Sequence, residues 1–333
     1  VPGKTCWIAK FVDLDPGPGV RDYMCAGRAN NGHTGVDIAV RDMAAMEDGV
    51  VVRAAAPGVV LDARDGVPDI SIRETGEENM SGTGCGNGVA ISHGGGWVTQ
   101  YCHMREGSIA VRRGEKVDVG QELGLVGLSG RTEYPHLHFM VRRGQAIMDP
   151  FVGVEGRPDG ASCGLGTHPL WTEAALKALS YTPAAIFNAG FSGNVPRAED
   201  VRNGAYRNLA LAGDAPAMSS PAGQAGRDDE GPGGASPQFS FTPEAPVLVF
   251  WTEIFGVEKG DTLSMRLVGP DGVTLTKIAK PIPKREARWF QYIGKKRHEA
   301  PWPAGIYRGE VKVTGERNGK MLETSVIRML EVR

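Results

Sequence analysis

At 333 residues the chain is too long for one ordinary domain and reads as two. A formal charge of −2 with no clustered basic stripe argues against a nucleic-acid binder, and no apolar stretch approaches the roughly 18 residues a membrane-spanning helix needs. The 47 Gly and 22 Pro favour turns and short strands over long helices.

Residues 1–31 read as a loop-rich lead-in, with a turn run at 13–19, before Asn31-Gly32-His33-Thr34-Gly35-Val36-Asp37-Ile38-Ala39-Val40 turns into a strand. Short β-type runs follow at 50–54 and 58–63, and residues 64–87 read as an excursion or long hairpin loop. Runs at 89–93 and 97–103 flank Gly94-Gly95-Gly96, a hairpin signal. Further strands are expected at 108–112, at 121–126 and from His136 onward. With almost no 3.6-residue apolar period before residue 150, the first half reads as a β domain.

The best helical segment is 171–181, followed by a strand at 184–191 and a linker or mobile loop at 212–237, rich in Ala, Gly, Pro, Ser and Asp. Runs at 247–255, 262–268, 273–278, 287–293, 305–313 and 322–332 suggest an immunoglobulin-like β-sandwich. The domains expected are 1–165, with a motif core at 28–151 and a lead-in at 1–27, and 166–333.

The chain opens at Val1 without a basic segment ahead of an apolar run, so the expectation is an exported protein whose signal peptide has been removed. Cysteines stand at 6, 25, 85, 102 and 163 with no C-x-x-C, which removes zinc-ribbon and thioredoxin readings. Cys6 and Cys25 flank a Pro/Gly/Asp-rich loop, and Cys85 lies one hairpin from Cys102. The expected disulfides are Cys6–Cys25 and Cys85–Cys102, with Cys163 left over, in an oxidising compartment such as a periplasm. Five reduced thiols in a cytosolic protein are the alternative.

In Pro135-His136-Leu137-His138-Phe139 a strand would put His136 and His138 on one face and Leu137 and Phe139 on the other. Alone, H-x-H is as often a polar sheet face as a metal site. A catalytic zinc takes three protein ligands and keeps one position for water, and five of the seven histidines fall between 33 and 138. Gly35 lies between His33 and Asp37, and permits a tight backbone that would bring imidazole and carboxylate to one ion. Taken separately, His33 is an exposed turn residue and Asp37 a solvated or capping carboxylate.

Taken together, Gly32-His33-Thr34-Gly35-Val36-Asp37, Tyr101-Cys102-His103-Met104 and Gly130…Pro135-His136-Leu137-His138-Phe139 resemble the lysostaphin/LytM family of zinc metallopeptidases. These glycyl-glycine-type endopeptidases of peptidoglycan show H-x-x-x-D, a lone His at a strand end and H-x-H in that order. Val119-Gly120-Gln121…Leu123-Gly124 also matches their scaffold, so the resemblance spans 28–151.

The resemblance implies an antiparallel LytM-type peptidase domain with Zn2+ held by His33, Asp37 and His138. It makes His103 and His136 the catalytic pair, and His136, on the same face as His138, is the expected general base. The implied activity is zinc-dependent endopeptidase cleavage of peptidoglycan cross-links or stems, in a periplasmic or secreted protein. The alternative is a non-catalytic LytM-like regulator that binds and controls another cell-wall hydrolase. No H-E-x-x-H is present, which removes the helix-borne zincin mechanism. Met140 departs from the family, which often carries Glu there. His93 reads as an exposed turn residue and Tyr101 as core, while Tyr134 stands near enough to the motifs to touch substrate. The basic residues of the second half, such as Lys284, Arg285 and Lys295, read as a solvated face or as a dock for cell wall or a protein partner.

Overall fold

A computed structural model describes residues 2–3, 5–76, 84–156, 162–206 and 241–333; the linker expected at 212–237 lies outside the described residues. The strands of the first half are β1 (Cys6–Lys10), β2 (Val36–Val40), β3 (Val51–Arg53), β4 (Gly58–Arg64), β5 (Asn87–Gly94), β6 (Trp97–Met104), β7 (Lys116–Val117), β8 (Glu122–Leu125), β9 (His136–Arg143) and β10 (Ala146–Met148). Those of the second half are β11 (Ala185–Ser192), β12 (Val247–Val257), β13 (Thr262–Val268), β14 (Thr274–Pro281), β15 (Glu286–Lys296), β16 (Gly305–Arg317) and β17 (Lys320–Val332). Helices among the described residues are short: α1 (Met43–Glu47), α2 (Ile72–Thr75), α3 (Glu173–Ala178) and α4 (Ala198–Arg202).

The first half is an antiparallel sheet in the order β1-β2-β9-β6-β5-β4-β7, with β10 on β9 and a separate β3-β8 pair. Its core gathers the apolar residues of alternate positions, among them Val89, Ile91, Tyr101, Leu123, Phe139 and Val141. The second half forms two antiparallel sheets, β11-β12-β15 and β14-β13-β16-β17. They close on one core that includes Phe250, Ile254, Leu263, Leu267, Val311 and Val313, in the immunoglobulin-like arrangement the strand spacing suggested. β12 is an almost unbroken apolar run because it is covered on both faces. One face meets the sandwich core, and Phe255 packs with Phe187 and Ala185 against Ala9 and Ala39 of the first sheet.

Several expectations are corrected. The lead-in is not all loop: Trp7 and Ile8 lie in β1, which pairs with β2 through Cys6–Val40 and Ile8–Ile38. Residues 108–112 form no strand: Ala110 N–H donates to the Leu123 carbonyl and Ser108 Oγ accepts from Leu125 N–H, but no ladder follows. The helix at 171–181 shrinks to α3, which Thr172 caps by accepting from Ala175 N–H.

Cys85–Cys102 forms as expected, but Cys6–Cys25 does not, and Cys25 pairs with Cys163. The reason is local. Cys6 is fixed opposite Val40 by the β1–β2 ladder and remains a free thiol. Cys25 sits in a left-handed turn (φ 62) tied by the Asp22 carboxylate to Met24 and Ala26. The same turn receives Gly164 N–H on the Tyr23 carbonyl, which brings residue 163 alongside.

Candidate metal centre and active-site groove

Strand register assembles the site. Across β2 and β9, Asp37 stands opposite His138 and Ala39 opposite His136. On the other edge of β9, β6 places Cys102 opposite His138, so His103 emerges beside the histidine pair. His136, His138 and Met140 line one groove of about 860 Å³ while Leu137 and Phe139 pack into the core, as period two requires.

Three donor atoms converge. Asp37 Oδ1 lies 3.0 Å from His33 Nε2 and 2.9 Å from His138 Nδ1, and these side chains offer one ligand atom each within 4.8 Å of one another. His33 Nδ1 is 2.7 Å from the Phe11 carbonyl, which can only accept, so the ring proton sits there and Nε2 turns a lone pair toward Asp37. In that neutral form two lone pairs face each other, and a cation joins them, either a second ring proton on Nε2 or a bound metal ion. Two imidazoles and one carboxylate are the donor set of a zinc site that keeps a position for water. Gly35 is required for this approach: a Cβ there would lie 2.6 Å from the Phe139 carbonyl oxygen and 2.7 Å from His138 Nε2.

Asp37 is buried. Burial alone would push its carboxyl up, but the charge of His136 and hydrogen bonds from His136, His138 and His33 hold it well below the usual carboxylate range. Burial pulls His138 down against the opposing pull of Asp37. At His33 burial acts the same way, yet the hydrogen bond and charge of Asp37 win and raise it. Lys10, opposite Asp37 in the β1–β2 ladder, places Nζ 4.0 Å from the other carboxylate oxygen.

His103 and His136 stand next to the donors, with ring centroids 4.7 Å apart and His103 6.0 Å from His138. His103 Nδ1 faces the Ser129 carbonyl at 2.8 Å, which assigns its proton to Nδ1 and leaves Nε2 as an acceptor. Burial first, then the charge of His136, pushes His103 down to about 3, so it is a neutral imidazole. Its backbone is left-handed (φ 61), a conformation uncommon for a non-glycine residue and frequent at functional sites. The Cys85–Cys102 disulfide pins the preceding residue. His136 Nδ1 lies 2.9 Å from the Tyr134 carbonyl and 3.0 Å from Thr132 Oγ1, while Nε2 is 3.4 Å from Asp37 Oδ1.

All five residues expected from the motifs therefore come together. His93 does not: it bridges the Pro57 carbonyl and Thr99 Oγ1 as a structural link. His168 pairs with Glu155 at the surface, and Tyr101 is core, its hydroxyl accepting from Ala55 N–H. Sequence reasoning missed Lys10, Arg202 and Arg288, which also line the groove. No motif marks them, because their proximity arises from strand pairing and from the packing of the two halves.

The fold and donor set define a β-sheet metallopeptidase-type domain. Residues 31–150 match the sequence model of Peptidase family M23. It is 43% identical over 63 residues to the Peptidoglycan DD-endopeptidase ShyA of Vibrio cholerae serotype O1, covering 19% of this chain and 14% of that protein. It is 33% identical over 102 residues to the Cell division protein DipM of Caulobacter vibrioides, covering 31% of this chain and 15% of that one. Among solved structures, the catalytic domain of the prophage-encoded M23 protein EnpA from Enterococcus faecalis is similar at 26% identity, with 42% of this chain and 88% of that chain covered and a TM-score of 0.29. The chain thus spans only a small part of the length of the two curated relatives.

Proposed function

We propose that the protein is a zinc-dependent endopeptidase that cleaves peptide cross-links or stems of bacterial peptidoglycan. The observation that carries this reading is the convergence of His33 Nε2, Asp37 Oδ1 and His138 Nδ1 in an open groove, with His103 and His136 alongside. His33, Asp37 and His138 hold the metal. Bound zinc supplies a Lewis acid that polarises a carbonyl and lowers the pKa of water toward neutrality.

The chain's own residues do the rest. His136, its Nδ1 proton held by the Tyr134 carbonyl, carries the Nε2 lone pair when the ring is neutral and takes a proton there from the attacking water. His103, neutral and fixed by Ser129, holds its acceptor nitrogen beside that ring, takes the proton over from His136 and delivers it to the departing amine, which leaves both rings neutral again. Lys10 neutralises the second oxygen of Asp37, so the carboxylate presents one oxygen to the metal. A regulator without activity would have no use for His103 in a strained backbone next to an intact donor set. Two disulfides and a cell-wall substrate fit a periplasmic or secreted protein.

The test is incubation of purified protein with isolated sacculi and mass spectrometry of the released peptides. Release is expected to stop with EDTA and to return with added zinc. Release that continues in EDTA and in His138→Ala protein would sink the reading.

A further inference from the structure

The groove is not built by the peptidase sheet alone. Arg202 at the end of α4 and Arg288 near the start of β15 line it together with His33, His136 and Tyr134. We propose that Arg202 and Arg288 form an anion subsite that binds a free carboxylate of the peptide substrate, an inference that rests on the peptidase reading above.

Both guanidinium groups share one carboxylate: Arg288 Nε and Nη2 lie 2.9 and 2.8 Å from Glu253 Oε1, and Arg202 Nε lies 3.8 Å from the same atom. Arginine stays protonated under all physiological conditions, so two positive charges stand against one negative charge. Glu286, which also lines the groove, is taken by Lys284 at 2.7 Å. Among the described residues, one cationic charge is left over at this wall of the groove.

The wall is also preorganised. Arg288 lies over the rings of Phe187 and Phe255, 5.1 and 5.8 Å from their centroids, and its side chain is 14% exposed. A guanidinium already held in place gives up little freedom when it takes a second carboxylate, and its planar fork matches that group's geometry. Arg202 is the more open of the two, with 31% of its side chain exposed.

Phe255 is the cross-strand partner of Arg288, and its ring is 5.1 Å from that of Tyr134, which in turn is 4.8 Å from that of His136. Two ring contacts thus tie the arginine wall to the catalytic histidine. A peptide crossing the metal site meets this wall with an acidic side chain or terminus. The sandwich would then act as a fixed part of the substrate groove, selecting acidic peptides.

The experiment compares fluorescently labelled cross-linked stem peptides bearing free carboxylates with the same peptides converted to amides. Binding is read by anisotropy in EDTA, where neither metal–carboxylate contact nor turnover contributes. Wild-type protein is expected to bind the acid form roughly tenfold or more tightly, and Arg202→Gln to bring the acid-to-amide ratio toward one. Arg288→Gln alone would strand the buried Glu253, so it is made together with Glu253→Gln. Equal affinity of wild-type protein for acid and amide, or an unchanged ratio in both variants, overturns the subsite. Sacculus digestion in parallel judges the peptidase reading separately: preference without cleavage removes that reading, and cleavage without preference removes the subsite.

Discussion

Gly35→Ala tests whether the metal donors are positioned as described. The added Cβ would lie 2.6 Å from the Phe139 carbonyl oxygen and 2.7 Å from His138 Nε2. Comfortable contact begins near about 3.5 Å, so the methyl group intrudes by roughly 0.8 Å. Phe139 cannot withdraw, because it faces Val36 in the β2–β9 ladder. The His138 ring must therefore swing away from Asp37. Overpacking of this kind costs about 1–3 kcal/mol, and each kcal/mol moves the melting temperature of a domain this size by about 2–4 °C. A second loss follows from linkage: zinc at a thousand times its Kd stabilises the folded protein by about 4 kcal/mol. Melting curves of stripped and zinc-loaded protein separate the two. The variant is expected to melt on the order of 5 °C lower without metal and to lose most of the zinc-induced rise. A zinc-induced rise equal to that of the wild type would refute the placement of His138.

His103→Ala and His136→Ala should each keep stoichiometric zinc, measured by plasma mass spectrometry, while kcat falls by about 10²–10⁴-fold; zinc loss would move the residue into the ligand set. Cys25→Ser opens the bond to Cys163, which closes a separation of 138 residues, and should cost about 2–5 kcal/mol in denaturant titration. Cys6→Ser should leave the midpoint unchanged, and the reverse pattern would restore the pairing expected from sequence. Gly256→Ala places a Cβ 2.5 Å from Arg28 Cγ at a left-handed position (φ 70), and should loosen the packing between the halves, read as faster limited proteolysis.

The peptidase sheet was legible where local periodicity and punctuation carried it. Gly94-Gly95-Gly96 announced the β5–β6 hairpin, and alternation in His136–Val141 told which side chains share the groove. The partnership of Asp37 with His138 spans 101 residues, and no local pattern states such a register. It became visible only through the resemblance. β1 escaped because an edge strand of five residues between turns has little pattern of its own. Cys25 was assigned the wrong partner because a disulfide follows the fold, and the fold brings residue 163 to the Asp22 turn. Arg202 and Arg288 were unreadable for the same reason, since each reaches the groove through the packing of the second half on the first.

The strand the sequence concealed changes how the site works. β1 adds Lys10 opposite Asp37, and the carbonyl that fixes the proton of His33 belongs to Phe11, the next residue. Without that carbonyl, His33 could place its proton on Nε2 and donate it to Asp37, which satisfies the pair without a metal. With it, a neutral ring presents its Nε2 lone pair to Asp37, and either a second ring proton or a metal ion joins the two. Asp37 is buried among three imidazoles and one ammonium group, so the charge of a bound metal settles a cluster that the fold has already desolvated. Lys10 and Phe11 of the N-terminal segment thus contribute directly to the candidate metal site.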